Sequence, residues 1–368
     1  MLRLVSSIIP RQSLIPRLPS SSCSAATSLS SRTLFSDSFH KMHTFLDSVS
    51  KLKLTIQDPP AYKSKVLENF RATGLQNIFD EEISNTVALS ENEEDLRCCK
   101  ELLVAIYGNS LRMGDEESKD KMYLALVNFF KLCKLFNSVD VAVEMWKNET
   151  VEQTMLLQNS KTISRLYIDL MFENGRYQDI VDEYLKSPDH LAKFEFMYAL
   201  VPLSCYKIGT REALETALNV LHLMKKDKIQ TSRGPKAAAF LAYNLNENVI
   251  AHNLLRKQGK HIFNEHLEIL LLLQADKLQE AVTYFKANKV PHPHYKRHIT
   301  ILYDVVVEMI RKVRESGDEA LLNDVMNMVT IIDKSDVTVV KNTKLEDILL
   351  EPLVSPTDNI IRARRNHT

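Results

Sequence analysis

Apolar side chains recur through the middle of this chain with the spacing of one helix face. Val139, Ala142, Val143 and Trp146 follow an i, i+3, i+4, i+7 pattern, as do Tyr177, Ile180, Val181 and Tyr184. Leu214, Ala217, Leu218 and Leu221 repeat it, and so do Leu278, Ala281, Val282 and Phe285. A weaker copy holds Ile250, Ala251 and Leu254, with Glu247 in its first position. The second positions of the five copies, residues 142, 180, 217, 250 and 281, lie about 35 residues apart.

Each copy follows another helical stretch across a short polar break. Tyr123–Lys134 precedes a break at Phe136-Asn137-Ser138, and Thr162–Glu173 one at Asn174-Gly175-Arg176. Phe194–Lys207 precedes Ile208-Gly209-Thr210, Ala237–Tyr243 precedes Asn244-Leu245-Asn246, and Asn264–Leu273 precedes Gln274-Ala275-Asp276. Gly175 and Gly209 sit where the end of a helix favours a left-handed residue. A lone hairpin leaves its apolar stripe in water, so neighbours must stack. The pattern therefore predicts an all-α chain whose residues 121–290 form an α-solenoid of antiparallel helix hairpins. Ala142, Ala217 and Ala281 are expected at close helix contacts.

The flanks read differently. Residues 37–120 look helical but fall out of period, and Asp80-Glu81-Glu82 and Glu91–Asp95 suit helix starts. Within 291–335, Tyr303–Val313 and Leu321–Ile332 predict one further helix pair. Residues 336–368 read as an extension with a lone β-branched run, Val337–Lys341, and a basic tail.

Composition supports the helical reading. Glycine supplies only 8 of 368 residues, far below its usual share of about 7%. Tight hairpins and phosphate-cradling loops need glycine, which argues against all-β, dinucleotide-binding and P-loop folds. No stretch approaches the roughly 18 apolar residues of a membrane span. Cys23, Cys98, Cys99, Cys133 and Cys205 contain no C-x-x-C spacing and read as small apolar residues rather than a disulfide framework.

Charge is balanced overall, 47 basic against 47 acidic, but unevenly placed. Residues 1–36 carry Arg3, Arg11, Arg17 and Arg32 with no acid, are rich in serine, and lack an uninterrupted secretory core because Pro10 and Arg11 break it. This is the composition of a mitochondrial transit peptide, with a cut expected near Arg32-Thr33-Leu34-Phe35 and the matrix as destination. Without that segment the chain is slightly acidic, at net −4, so any nucleic-acid binding must use a local basic patch.

The tetratricopeptide pattern of Trp, Leu-Gly and Tyr is missing from these copies. Leu132-Cys133-Lys134 and Asn174-Gly175-Arg176-Tyr177 are closer to the pentatricopeptide pattern, in which a first helix ends in Leu-Cys-x-x-Gly and the second opens with charged residues. Lys131–Met145, Ile168–Tyr177, Ser204–Ile208, Ala242–Asn248 and, weakly, Phe45–Leu52 extend the likeness across residues 40–350. In these segments the chain resembles the pentatricopeptide repeat proteins of animal mitochondria. The resemblance implies a degenerate repeat array in a matrix protein needed for mitochondrial RNA maturation. Its partners would be single-stranded mitochondrial RNA and RNA-processing or ribosomal proteins.

Catalytic signatures are absent from the sequence: no Walker loop, G-x-G-x-x-G, H-E-x-x-H or G-x-S-x-G occurs. The best metal candidate, His292, His294 and His298 with His266, has two prolines and no nearby carboxylate or thiol, and reads as an inter-helix loop. The expectation is a non-catalytic protein without cofactor, metal or small-molecule substrate.

RNA would lie along the first helices, its phosphates neutralised by spaced Lys and Arg. The slots that read base edges in full repeats hold Leu126 and Arg165 here, so a base-by-base code is not expected. Arg165 is the first candidate contact. Lys225 and Lys226, followed by Lys228, and Arg233 with Lys236 are the others. The alternative is a protein-interaction scaffold for ribosome or complex assembly, which the acidic balance of the mature chain favours.

Overall fold

The computed structural model describes residues 34–110, 116–152, 160–186, 194–229, 231–259, 261–291, 299–335 and 337–352. These are mostly helical, with 18 helices and one small sheet among the described residues. They divide into two compact units, 34–194 and 195–351.

The first unit runs α1 (Met42–Thr55), α2 (Pro59–Thr73), α3 (Asp80–Ala88), α4 (Glu93–Ser110), α5 (Glu116–Leu135), α6 (Val139–Trp146), α7 (Glu149–Glu152), α8 (Lys161–Glu173) and α9 (Tyr177–Lys186). The second runs α10 (Met197–Ile208), α11 (Arg211–Lys226), α12 (Arg233–Asn244), α13 (Asn248–Leu255), α14 (Ile262–Gln274) and α15 (Leu278–Lys289). It continues with β1 (Thr300–Leu302), α16 (Tyr303–Glu315), α17 (Glu319–Asp333), β2 (Thr338–Val340) and α18 (Leu345–Leu349).

The polar breaks seen in the sequence are helix stops. Asn137, Gly175, Gly209, Asn246 and Asp276 all have positive φ, between 53° and 77°. In four of them the next amide reaches back to the preceding helix: Ser138 to Cys133, Arg176 to Met171, Glu247 to Ala242 and Lys277 to Leu272. This closes orphan carbonyls of the first helix just before the second begins. Starts are capped as well. Ser160, Thr210 and Asp318 side chains accept the amides of Ile163, Ala213 and Leu321.

Within each hairpin the two helices pack together, and the first helix of one packs on the first helix of the next: α5 on α8 in the first unit, α10 on α12 and α12 on α14 in the second. Ala142, Ala217 and Ala281 are fully buried, as expected, and so is Ala251. Gly234 marks a close approach. A Cβ there would lie 2.2 Å from the Tyr198 carbonyl oxygen, so α12 meets the backbone of α10.

Side chains of successive helix pairs also meet. Asn174 Nδ2 donates to Asn137 Oδ1 at 2.7 Å, the Arg176 guanidinium pairs with Asp140, and Lys134 pairs with Glu173. Trp146 stacks on Tyr167 at 4.3 Å and donates its indole N–H to Glu183. Gln274 donates to Asn246 Oδ1 at 2.6 Å in the second unit.

Two expectations change. Val337–Lys341 is not lone: Thr338, Val339 and Val340 pair in parallel with Thr300, Ile301 and Leu302. Parallel strands need a crossover, and the α16–α17 pair supplies it. Leu34 and Phe35, which the composition placed in the transit segment, are buried in the first unit at 0% and 1% exposure.

Candidate nucleic-acid interface

Repeat logic puts the interface on the first helices. Ser160 caps α8 and so sets Arg165 near its start. Arg165 does not face an open groove. Its guanidinium lies 4.6 Å from the ring centroid of Phe39 and 5.8 Å from that of Phe35, and its Nε is buried without a hydrogen-bond partner. The expectation of an RNA-facing Arg165 is therefore corrected. The chain's own N-terminal segment covers it, through a cation–π contact made by residues some 125 positions away in sequence.

One turn further along α8 stands Asp169, fully buried. Its Oδ1 accepts the backbone amide of Leu34 at 2.8 Å, and its Oδ2 takes His40 Nε2 and Lys134 Nζ, each at 2.8 Å. Lys134 also reaches Glu173 at 2.5 Å. Burial opposes ionisation of Asp169, but the His40 hydrogen bond and the Lys134 charge outweigh it and hold the carboxyl below its usual range. Burial likewise opposes the charge on Lys134, and the two carboxylates overcome that and keep it protonated. Burial pushes Glu173 up and His40 down, the latter against the opposing pull of Asp169.

The same N-terminal segment reaches α5. The Lys131 ammonium sits 5.2 Å from the Phe45 centroid, and Leu124, Asn128 and Lys131 of α5 share a cleft of about 380 Å³ with Phe45, Ser48 and Leu52 of α1. Leu126 is wholly buried rather than on an open base-reading face.

In the second unit, the C-terminal end of the described chain does what the N-terminal segment does in the first. Arg233 donates Nη2 to the Glu351 carbonyl, its Nη1 is buried without a partner, and Lys236 is 9% exposed. Neither is the open phosphate contact expected of it. Lys207 of α10 pairs with Glu346 at 2.6 Å, and α18 packs on α12 and α14. Lys225 and Lys226 end α11 and are exposed, with no ion pair among the described residues, so these two alone of the five candidates stand open to solvent.

Sequence reasoning missed one feature. Tyr206 and Phe240 stack at 5.2 Å and 15°, and Phe240 and Tyr243 at 6.0 Å and 13°, all half-buried on α10 and α12. Phe240 and Tyr243, three apart on one helix face, were the available signal. Lys207 lies 5.7 Å from the Tyr206 centroid.

His266 is not a metal ligand in waiting. Its Nδ1–H donates to the Ile262 carbonyl at 2.6 Å, and its Nε2 accepts the Leu302 amide at 3.0 Å, so both nitrogens are used. His292, His294 and His298 lie outside the described residues, as does Cys23. Cys99 and Cys205 are buried thiols pushed up to about 12 by desolvation, Cys133 is buried and pushed up further, and Cys98 is half-buried.

One further surface is apolar. Val249 and His252 of α13, Leu271 and Leu272 of α14, and Tyr284 of α15 line a groove of about 780 Å³, where His252 Nδ1 meets Glu268 at 2.8 Å. No protein-family profile, curated protein or solved structure matches this chain.

Proposed function

We propose that the chain is a non-catalytic helical-repeat adaptor of the mitochondrial matrix that serves RNA maturation. In this reading its hairpins form a stack of antiparallel helix pairs. The observation that carries it is the contact between neighbouring helix pairs beside their helix stops, Asn137 with Asn174 and Lys134 with Glu173. Stacked hairpins would make contacts of this kind, and a row of first helices would offer a long face for an extended ligand. The pentatricopeptide-like segments supply the RNA and the matrix, and the acid-free segment 1–33 supplies the import signal.

Because Arg165, Arg233 and Lys236 are engaged within the chain, direct RNA contact in this reading is confined to phosphates at exposed lysines, Lys225 and Lys226 first. The test is binding of single-stranded RNA to the mature chain at several salt concentrations. The slope of log affinity against log salt is expected at about −0.7 per neutralised phosphate. Lys225→Ala with Lys226→Ala is expected to flatten it by up to about 1.4 and to weaken unrelated sequences alike. Loss confined to one sequence would contradict a phosphate-held complex.

A protein-interaction scaffold is the second reading, favoured by the apolar groove of α13–α15 and by the engaged basic residues. Absence of RNA binding at low salt selects it.

A further inference from the structure

The N–H of Leu34 is buried and aimed at a buried carboxylate. Leu34 and Asp169 are both 0% exposed, and the amide nitrogen lies 2.8 Å from Oδ1. Among the groups in hydrogen-bond contact here, two carboxylates, Asp169 and Glu173, face one ammonium, Lys134. His40 Nε2 also meets Asp169, and Arg165, which lies against Phe35 and Phe39, adds its positive charge near this carboxylate. The Leu34 nitrogen stands where an α-ammonium would meet the buried Asp169 carboxylate directly.

The sequence offers one way to place it there. Residues 1–33 carry four arginines and no acid, and the last arginine, Arg32, stands two residues before Leu34. A cut after residue 36 would strip Leu34 and Phe35 from the folded unit, and with them the ring under Arg165 and the amide on Asp169. Removal of the leader must therefore stop short of Leu34.

We infer that a matrix endopeptidase hydrolyses the Thr33–Leu34 bond and that the new Leu34 α-ammonium forms a buried ion pair with Asp169. Water adds across the amide. The C–N bond breaks, the carboxylate leaves with Thr33, and the nitrogen stays on Leu34 as an ammonium. Cleavage acts on the unfolded precursor, and the ammonium is buried when the unit folds. This rests on the transit-peptide reading, but the pairing itself is tested separately.

Two experiments decide it. In the first, the radiolabelled precursor is imported into isolated mitochondria and its N-terminal peptide is read by mass spectrometry. Leu34 is expected at the new terminus. A terminus elsewhere overturns this inference and leaves import standing, whereas a precursor that stays outside or uncut overturns the import reading and the cleavage with it.

In the second, the mature chain is released from a fusion with a free Leu34 amine and compared with the same chain acetylated on Leu34. The acetyl group fills the place of the Thr33 Cα and carbonyl and keeps the N–H, but removes the charge. The free amine is expected to react with an acylating reagent at least tenfold more slowly in the native than in the urea-unfolded chain. The free-amine chain is also expected to melt at a higher temperature. Pairing with Asp169 raises the α-amine above its unfolded pKa of about 7.7–8.0, so the advantage is full below that range and disappears as pH rises through the folded value. Asp37, His40, Arg165, Lys134 and Glu173 surround the pair in both chains, so the difference isolates the amine. Equal melting at every pH, or a native amine as reactive as the unfolded one, overturns the pairing.

Discussion

Gly209 and Gly234 illustrate two different reasons why a side chain fails at one position. Gly209 ends α10 with φ 77° and nothing within 4 Å of where a Cβ would stand, so alanine there meets only the backbone strain of a left-handed residue, about 1–2 kcal/mol. Gly234 has an ordinary helical backbone, but alanine would collide with the Tyr198 carbonyl and force α12 off α10. Gly234→Ala is expected to cost more than Gly209→Ala, and Gly209→Asn less than Gly209→Ala, because asparagine tolerates this conformation. Urea midpoints of the three variants check the order. Gly209 was legible as a break between two apolar stripes. Gly234 was not, because nothing local in a helical residue reports a carbonyl that arrives from 36 positions away.

Among the elements, the helices were legible and the strands were not. Apolar spacing reports a helix face directly, so Ala142, Ala217, Ala251 and Ala281 came out buried. Four β-branched residues at Val337–Val340 say nothing about a partner at Thr300–Leu302, whose own run is too short to stand out. The candidate site failed for a related reason. Arg165 has the right type and register for an open face, and only the folded positions of Phe35 and Phe39 show that the face is covered. β1 itself depends on a titratable tether, since neutral His266 accepts the Leu302 amide. Burial, with Lys289 nearby, lowers His266 to about 4, although Glu265 opposes this. Below the ordinary value of 6.5 the unfolded chain takes up a proton that the folded chain refuses, so stability falls between pH 6.5 and about 4. His266→Gln is expected to be less stable at pH 7.5 and to lose this portion of the slope, up to about 1.4 kcal/mol per pH unit, in urea titrations across that range.

At the scale of the whole molecule, each unit is covered by a chain segment from outside its hairpins: residues 34–52 in the first, residues 345–351 in the second. Leu345, Leu349 and Leu350 are buried, so a chain that stops after Val340 loses about 1.5 kcal/mol or more for each of them, together with the Lys207–Glu346 pair. Amide exchange is expected to quicken throughout 195–340 while α5 and α8 keep their protection. Uniform quickening across both units would contradict the division. The Leu34–Asp169 bond spans 135 residues, and that distance sets an order of events. A polypeptide threaded through a membrane from its N-terminus cannot close this loop until residue 169 has followed. Under the proposed import, the beginning of the chain would stay within reach of an enzyme during that interval, and a slow passage would lengthen the interval while a fast one would shorten it.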